Sequence, residues 1–456
     1  MNDFFKNIRK ITDLFMKKKK YNYPAGYSFL QTVFKSNRFI DNPIRFMTLS
    51  IGKFGNTYSA SLSPKKKILI TQHADFISYV LKDNQKNYKK SPLSTERAVP
   101  LFGNGLLFSN GEYWREQRRL IQPAFHKEKL SGLYENIINT ITHFLPNFTT
   151  GQRVDVYPLM HQISFNILLN SLFDISLKPV YIKELNSAFS ELQDFLIKDI
   201  NQPIKRLFYP LNGIKKNNLN KAEKIRLIFK EIIQERKNTK GHFTDLLDML
   251  LHSKYEDTGT YMNDEQITDE LLILIFAGHE TTANTLSWLL YLLAEHDTVL
   301  KKLTASLTDS VYDSINNSYL KATIQEGMRL YPAAWMTERM AIADDAFEGF
   351  SFAKGTIIIP FFFGLHRDKN LWADADAFNP ERFLIDNSLT KVKHYFPFGA
   401  GPRMCIGNNF AMAEMCFFLH QFLSVFTITS TGETPEMKPL ITLRPKEVVL
   451  HVHRLV

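Results

Sequence analysis

A chain of 456 residues with 56 lysines and arginines against 46 acids carries a formal charge of +10, a balance that admits contact with nucleic acid, a membrane surface or an acidic protein. No nucleic-acid module accompanies the charge, which sets nucleic acid aside and leaves an acidic protein as the better-fitting partner. Two cysteines exclude a disulfide framework and a four-ligand zinc site. No Gly-, Pro- or Ser-rich linker divides the chain, so residues 1–456 are expected to form one domain.

In chain order, Phe4, Phe5, Ile8, Ile11, Leu14 and Phe15 recur at helical spacing before the lysines at 17–20. The spacing predicts an amphipathic N-terminal helix within 1–20, lying on the body of the protein or grazing an anionic membrane. It lacks the continuous apolar segment and cleavage site of a signal peptide, so export is not expected. Residues 54–71 alternate and read as a hairpin turning at Pro64 and Lys65. Residues 112–122 read as a helix ended by Pro123, with Trp114 and Arg118 four apart on one face. Helical patterns then fill much of 156–236, with a flexible polar connection at 212–219 and a break at 238–241.

The apolar runs 271–278 and 283–294 flank His279, Glu280, Thr281 and Thr282, and neither approaches the roughly 18–20 apolar residues that cross a bilayer. An acid and two hydroxyls inside a buried helix demand partners, in the preceding turn or in a bound water. The apolar period continues past them through Leu286, Leu289, Leu290 and Leu293, which argues against a capping box. His279 reads as a satisfied helix histidine. Glu326 and Arg329 are three apart, a spacing that taken alone describes a surface ion pair. Phe276, Ala277, Ala333, Trp335 and Met336 are candidate walls for an organic substrate. His366 is expected to make a structural hydrogen bond. Residues 355–363 read as a strand, 410–426 as a helix with Cys416 as a core thiol, and 441–453 as terminal sheet.

Between those last elements lies Phe398-Gly399-Ala400-Gly401-Pro402-Arg403-Met404-Cys405-Ile406-Gly407. A neutral thiol is a poor iron ligand, so Cys405 must be held as a thiolate, in a dry site where amide N–H groups and a helix N-terminus stabilise its charge. The glycines permit a tight path and close approach to a flat cofactor. Arg403 offers a forked donor to a carboxylate, and Phe398 packs beside the sulfur and limits water.

This run resembles the haem-binding loop of the cytochrome P-450 family, haem-thiolate monooxygenases, at every fixed position of F-x-x-G-x-R-x-C-x-G. Trp114 and Arg118 resemble the family's W-x-x-x-R helix. Ala277, Gly278, Glu280, Thr281 and Thr282 resemble its oxygen groove, [AG]-G-x-[DE]-T-[TS]. Glu326 with Arg329, and Pro380-Glu381-Arg382-Phe383, resemble its E-x-x-R and P-E-R-F segments. The resemblance runs from Trp114 to the terminal sheet and implies a mainly α, triangular fold with smaller β regions.

It also implies haem b, with Cys405 on the iron and Trp114, Arg118, Arg339 and Arg403 around the propionates. Gly278 would give room beside dioxygen, Thr281 would organise its hydrogen bonds, and Glu280 would relay protons. Glu326, Arg329 and Arg382 would form a structural lock. The implied reaction draws two electrons from NAD(P)H through a separate ferredoxin and ferredoxin reductase, or a flavodoxin, and hydroxylates or oxidatively O-demethylates an organic small molecule. A fatty acid, a terpenoid and a methoxylated sugar all stay open as substrates. The expected location is the cytoplasm, with no transmembrane anchor. The alternatives are a peroxide-using haem enzyme and a non-catalytic haem sensor. Lys391 and Lys393, near Cys405 in sequence, either dock the electron donor or only solubilise a loop.

Overall fold

In the computed structural model, described over residues 21–455 apart from 64–65, 149, 175–178, 203–208, 240–242, 244, 256 and 385–392, helix far outweighs strand. Eight longer helices frame the site: α1 (Pro92–Phe102), α2 (Gly111–Ile121), α3 (Tyr157–Phe173), α4 (Pro179–Asn201), α5 (Ile214–Asn238), α6 (Asp264–Glu295), α7 (Ser318–Leu330) and α8 (Asn408–Val425). The expected N-terminal helix and the hairpin tip at Pro64 and Lys65 lie outside the described residues. No described helix is long and apolar enough to cross a membrane.

The longest helix, α6, is buried through most of its 32 residues. The Asn263 side chain accepts from the Gln266 N–H, and Asp264 and Glu265 stand in the first turn, where the helix dipole favours negative charge. α3 lies close along it because Gly278 has no side chain: a Cβ there would sit 2.2 Å from Leu168 Cδ1. The bareness of Gly278 therefore serves helix packing.

Among the described residues the largest sheet runs β1 (Gly26–Tyr27), β2 (Thr57–Ser61), β3 (Lys67–Thr71), β9 (Ile357–Pro360), β6 (Arg339–Ala341), β4 (Tyr88–Lys89). The β2–β3 pair is the expected hairpin, antiparallel with Tyr58 opposite Ile70. A second sheet joins β10 (Phe426–Ser430), β13 (Val449–Arg454) and β5 (Arg153–Asp155). Two hairpins complete the strands: β7 (Asp345–Phe347) with β8 (Phe350–Phe352), and β11 (Met437–Pro439) with β12 (Leu443–Pro445).

Two local expectations change. The connection expected at 212–219 is mostly helix, because α5 starts at Ile214. Its lysines and asparagines form the solvated side of a helix whose other side buries Ala222, Ile225, Phe229 and Ile233 at three- and four-residue spacing. The strand expected over 355–363 pairs only at Ile357–Pro360, after which Phe362–Leu365 turns helical.

Candidate functional site

The Cys405 loop is folded by its own backbone. Cys405 N donates to the Phe398 carbonyl at 2.9 Å and Met404 N to Gly401 at 3.0 Å. Gly399 and Gly401 take positive φ values of 70° and 68°, a region costly to residues with a Cβ. α2 is tied to this loop through Arg118, whose Nη1 donates to the Met404 carbonyl at 2.9 Å and whose Nε donates to Gln122 Oε1 at 3.0 Å. The Cys405 side chain is exposed while its neighbour on α8, Cys416, is buried. Desolvation among protein groups raises the Cys405 thiol pKa; the Gly407 N–H and the Arg118 charge oppose that rise and favour thiolate.

Arg403, two residues before the thiol, interacts with Arg118, Arg339 and Lys90. Arg403 donates to the Ser109 carbonyl at 2.8 Å and to Asn110 Oδ1 at 3.2 Å, and its guanidinium lies 4.1 Å from the Trp114 ring centre. Burial, then the charges of Arg339 and Arg118, lower its pKa to about 9. Arg339, on β6, is buried and lowered to about 10 by desolvation. Lys90 is lowered to about 7, first by burial and then by Arg339 and Arg403. Glu338 is the acid among them. Burial raises it, and it accepts from Ser94 Oγ. A desolvated cluster with this surplus of positive charge suits ligand carboxylates.

On α6, Ala277, Gly278 and Thr281 are half-buried, while His279 and Glu280 are buried. Thr281 Oγ1 donates to the Ala277 carbonyl at 2.9 Å, and Thr282 Oγ1 to Gly278 at 3.3 Å, so both hydroxyls bond the preceding turn. Glu280 is raised by desolvation, against the opposing influence of Thr442, Gln193 and Arg444. His279 is held neutral, lowered to about 4 by burial, with Nδ1 at 2.7 Å from the Ile275 carbonyl. An exposed thiol in a turn tied to Arg118, with Arg403 two residues before it in contact with Trp114, fits haem.

The cytochrome P450 family model matches residues 22–452. This chain belongs to the cytochrome P450 family. It is similar to cyclooctat-9-en-7-ol 5-monooxygenase of Streptomyces melanosporofaciens, 29% identical over 82% of this chain and 82% of the relative. It is also similar to pentalenene oxygenase of Streptomyces avermitilis, 27% identical over 91% and 92% of the two chains. Among solved structures, the cytochrome P450DA heme domain superposes with a TM-score of 0.85 at 20% identity, covering 96% of this chain and 99% of that one, a likeness of fold. The protein is thus an oxidoreductase with the mainly α P450 fold.

In this P450 the Glu326–Arg329 pair is fully buried. Arg329 donates twice to Glu326, at 2.7 and 2.9 Å, and also to the carbonyls of His366, Ala375 and Ala377. Arg382 Nε reaches Glu326 at 2.9 Å. The lock continues to the Cys405 loop, because His366 Nε2 accepts from the Phe396 N–H at 2.9 Å and the Phe396 carbonyl accepts from Gly399 N at 3.1 Å. His366 is thereby the structural acceptor expected.

The proposed pocket walls divide. Phe276 packs on Phe102 with ring centres 4.3 Å apart and lies near Phe108, while Phe189 stacks on Phe102, and Ala277, Ala333 and Met336 are half-buried. Trp335 does not line this region. It is 1% exposed in the sheet-side core with Tyr58, Ile70 and Phe361, and its indole N–H donates to the Leu440 carbonyl at 2.9 Å. In that extended segment the exposed neighbour is Ala334. Phe398 is half-buried against the main core. Lys391 lies outside the described residues, and Lys393 is exposed. Sequence reasoning missed Lys90 and Glu338, since only the pairing of Tyr88–Lys89 with Met340–Ala341 carries Lys90 to Arg339.

Proposed function

We propose that this P450 binds haem b through the Cys405 thiolate, with Trp114, Arg118, Arg339, Arg403 and Lys90 around the propionates. It inserts one oxygen atom of O2 into a largely apolar organic substrate, by hydroxylation or oxidative O-demethylation. The observation that carries the reading is the exposed thiol close to cations: Arg118 bonds the carbonyl next to Cys405, and the half-buried Arg403, two residues before it, interacts with Arg339 and Lys90.

Haem, when bound, supplies the oxygen chemistry. The chain supplies the rest. Phe398 limits water at the sulfur, and Phe276, Ala277, Ala333 and Met336 hold apolar surface of the substrate. Thr281 releases its bond to Ala277 to orient oxygen, and Glu280 moves protons toward that side of α6. An apolar framework agrees with the aromatic group around Phe276 and with relatives named for an alkenol and an alkene. Electrons come from NAD(P)H through a separate ferredoxin and its reductase or a flavodoxin, docking near Lys393, in the cytoplasm.

The test is turnover with labelled dioxygen, NADPH, a ferredoxin and its reductase, against a panel of cyclic alkenes. Label in the product supports the reading. Product formed with hydrogen peroxide alone selects the peroxide-using enzyme, and haem binding without product from any electron source selects the sensor.

A further inference from the structure

The segment between α1 and α2 is held at both ends by side chains distant in sequence. At its far end the Ser109 carbonyl accepts from Arg403 Nη1 at 2.8 Å. At its near end two adjacent acids of α6 hold the backbone: Asp269 Oδ2 accepts from the Asn104 N–H at 2.8 Å, and Glu270 Oε2 accepts from the Leu106 N–H at 2.9 Å. So close an approach needs glycine. A Cβ on Gly103, whose φ is 84°, would lie 2.3 Å from Asp269 Oδ1, and one on Gly105 would lie 2.9 Å from the Asp269 carbonyl oxygen. Phe102 directly precedes this segment and Phe108 belongs to it, and both rings border Phe276.

The two acids differ in their surroundings. Asp269 Oδ1 accepts from Arg226 Nη1 of α5 at 2.6 Å, and the same guanidinium reaches Glu265 Oε2 at 2.8 Å. Glu270 is fully buried, and its Oε1 has no hydrogen-bond partner among the described residues. Burial raises this carboxyl to about 8 against the opposing Leu106 N–H, and the Asp269 charge adds to the rise. The other titratable groups that face it are Tyr113 of α2 and Tyr255, both themselves raised by burial. Neither supplies a cation, so charging Glu270 favours any arrangement that lets water reach it.

We infer that Asp269 and Glu270 are positioning residues for the substrate: their carboxyls clasp residues 103–106 onto α6, fix Phe102 and Phe108 against Phe276, and release them when a bulky ligand enters. The inference rests on the reading of Phe276 as a substrate wall and adds what sets the place of that wall. Its pH sense follows from where the proton is held more tightly. Glu270 has a pKa of about 8 when clasped and returns toward 4.5 when exposed. The stability this proton gives the clasp is full below about pH 4.5 and is lost as pH rises to about 8, so opening grows across that window.

Amide hydrogen exchange at Asn104 and Leu106 reads the clasp without turnover. Glu270→Gln is the reference, since it keeps an acceptor for Leu106 and cannot titrate. The ratio of wild-type to Glu270→Gln exchange is expected to rise about tenfold per pH unit up to about pH 8 and then to level. Glu270→Leu, which removes the acceptor, is expected to speed exchange at both amides about fivefold. In the holoenzyme, stopped-flow haem absorbance with imidazole and with 4-phenylimidazole separates the clasp from general loosening. Entry of the bulky ligand should quicken about fivefold in Glu270→Leu while that of imidazole stays as in wild type. Gly105→Ala, whose Cβ pushes the segment off α6, should act likewise and carries the test if Glu270→Leu does not fold. A flat exchange ratio across pH, or equal rates of entry gained by both ligands, overturns the clasp. A protein that takes up no haem overturns the functional reading, and the exchange ratio then decides the clasp alone.

Discussion

Gly401→Ala isolates what the Cys405 loop requires of its backbone. Gly401 has φ of 68°, and a Cβ there would lie 1.9 Å from the Leu81 backbone oxygen. Left-handed backbone at a residue with a Cβ costs about 1–2 kcal/mol. The clash adds to this: an ordinary carbon–oxygen contact is about 3.3 Å, so loop and Leu81 must separate by about 1.4 Å. No rotamer change relieves it, since both atoms are fixed to backbone. A functional constellation tolerates about 0.5 Å, so the Cys405 sulfur leaves its position. Gly399→Ala is the control, because Gly399 has φ of 70° with nothing within 4 Å of its would-be Cβ. It should suffer the backbone strain alone. The assay is haem content per protein, with the visible spectrum and the denaturant midpoint. Gly399→Ala is expected to lose about 1–2 kcal/mol and keep haem. Gly401→Ala is expected to lose thiolate-ligated haem. Wild-type haem content and spectrum in Gly401→Ala would refute the reasoning.

Other expectations follow from the same contacts. Glu326→Ala strands the buried Arg329 charge, which costs about 3–5 kcal/mol; circular dichroism and denaturant midpoints should show a destabilised or unfolded protein, with Glu326→Gln milder. Glu414 accepts from Ser164 Oγ at 2.6 Å and is raised to about 8 by burial. Its folded pKa exceeds the unfolded value of 4.5, so the stability it contributes is full below about pH 4.5 and lost as pH rises to about 8. Glu414→Gln should therefore gain on wild type across that window, by on the order of a few kcal/mol, in denaturation series at fixed pH; a constant difference would count against it. Thr281→Ala should keep haem and substrate binding while product per NAD(P)H falls several-fold and peroxide rises, and unchanged coupling would remove Thr281 from its role.

Legibility in the sequence followed the range of the contacts. The Glu326–Arg329 pair, the α2 face of Trp114 and Arg118, and the turns before Cys405 depend on residues a few positions apart, and each was readable as spacing. The start of α5 was read as a connection because a solvated helix side and a loop share the same polar composition. Trp335 was misassigned because an extended segment alternates its faces, and only packing against Tyr58 and Phe361 decides which face meets the core. Lys90 required strand register, and Gly278 required the approach of Leu168.

The proposed function requires Cys405 to present a thiolate to haem iron. It is tested most directly by the visible absorption spectrum of the reduced, carbon monoxide-bound protein, recorded for wild type and Cys405→His. Thiolate donation to iron predicts a strongly red-shifted Soret band in the wild type and its complete loss in Cys405→His at retained haem. The same red-shifted band in Cys405→His, or a wild-type spectrum of imidazole-ligated haem, would contradict the account.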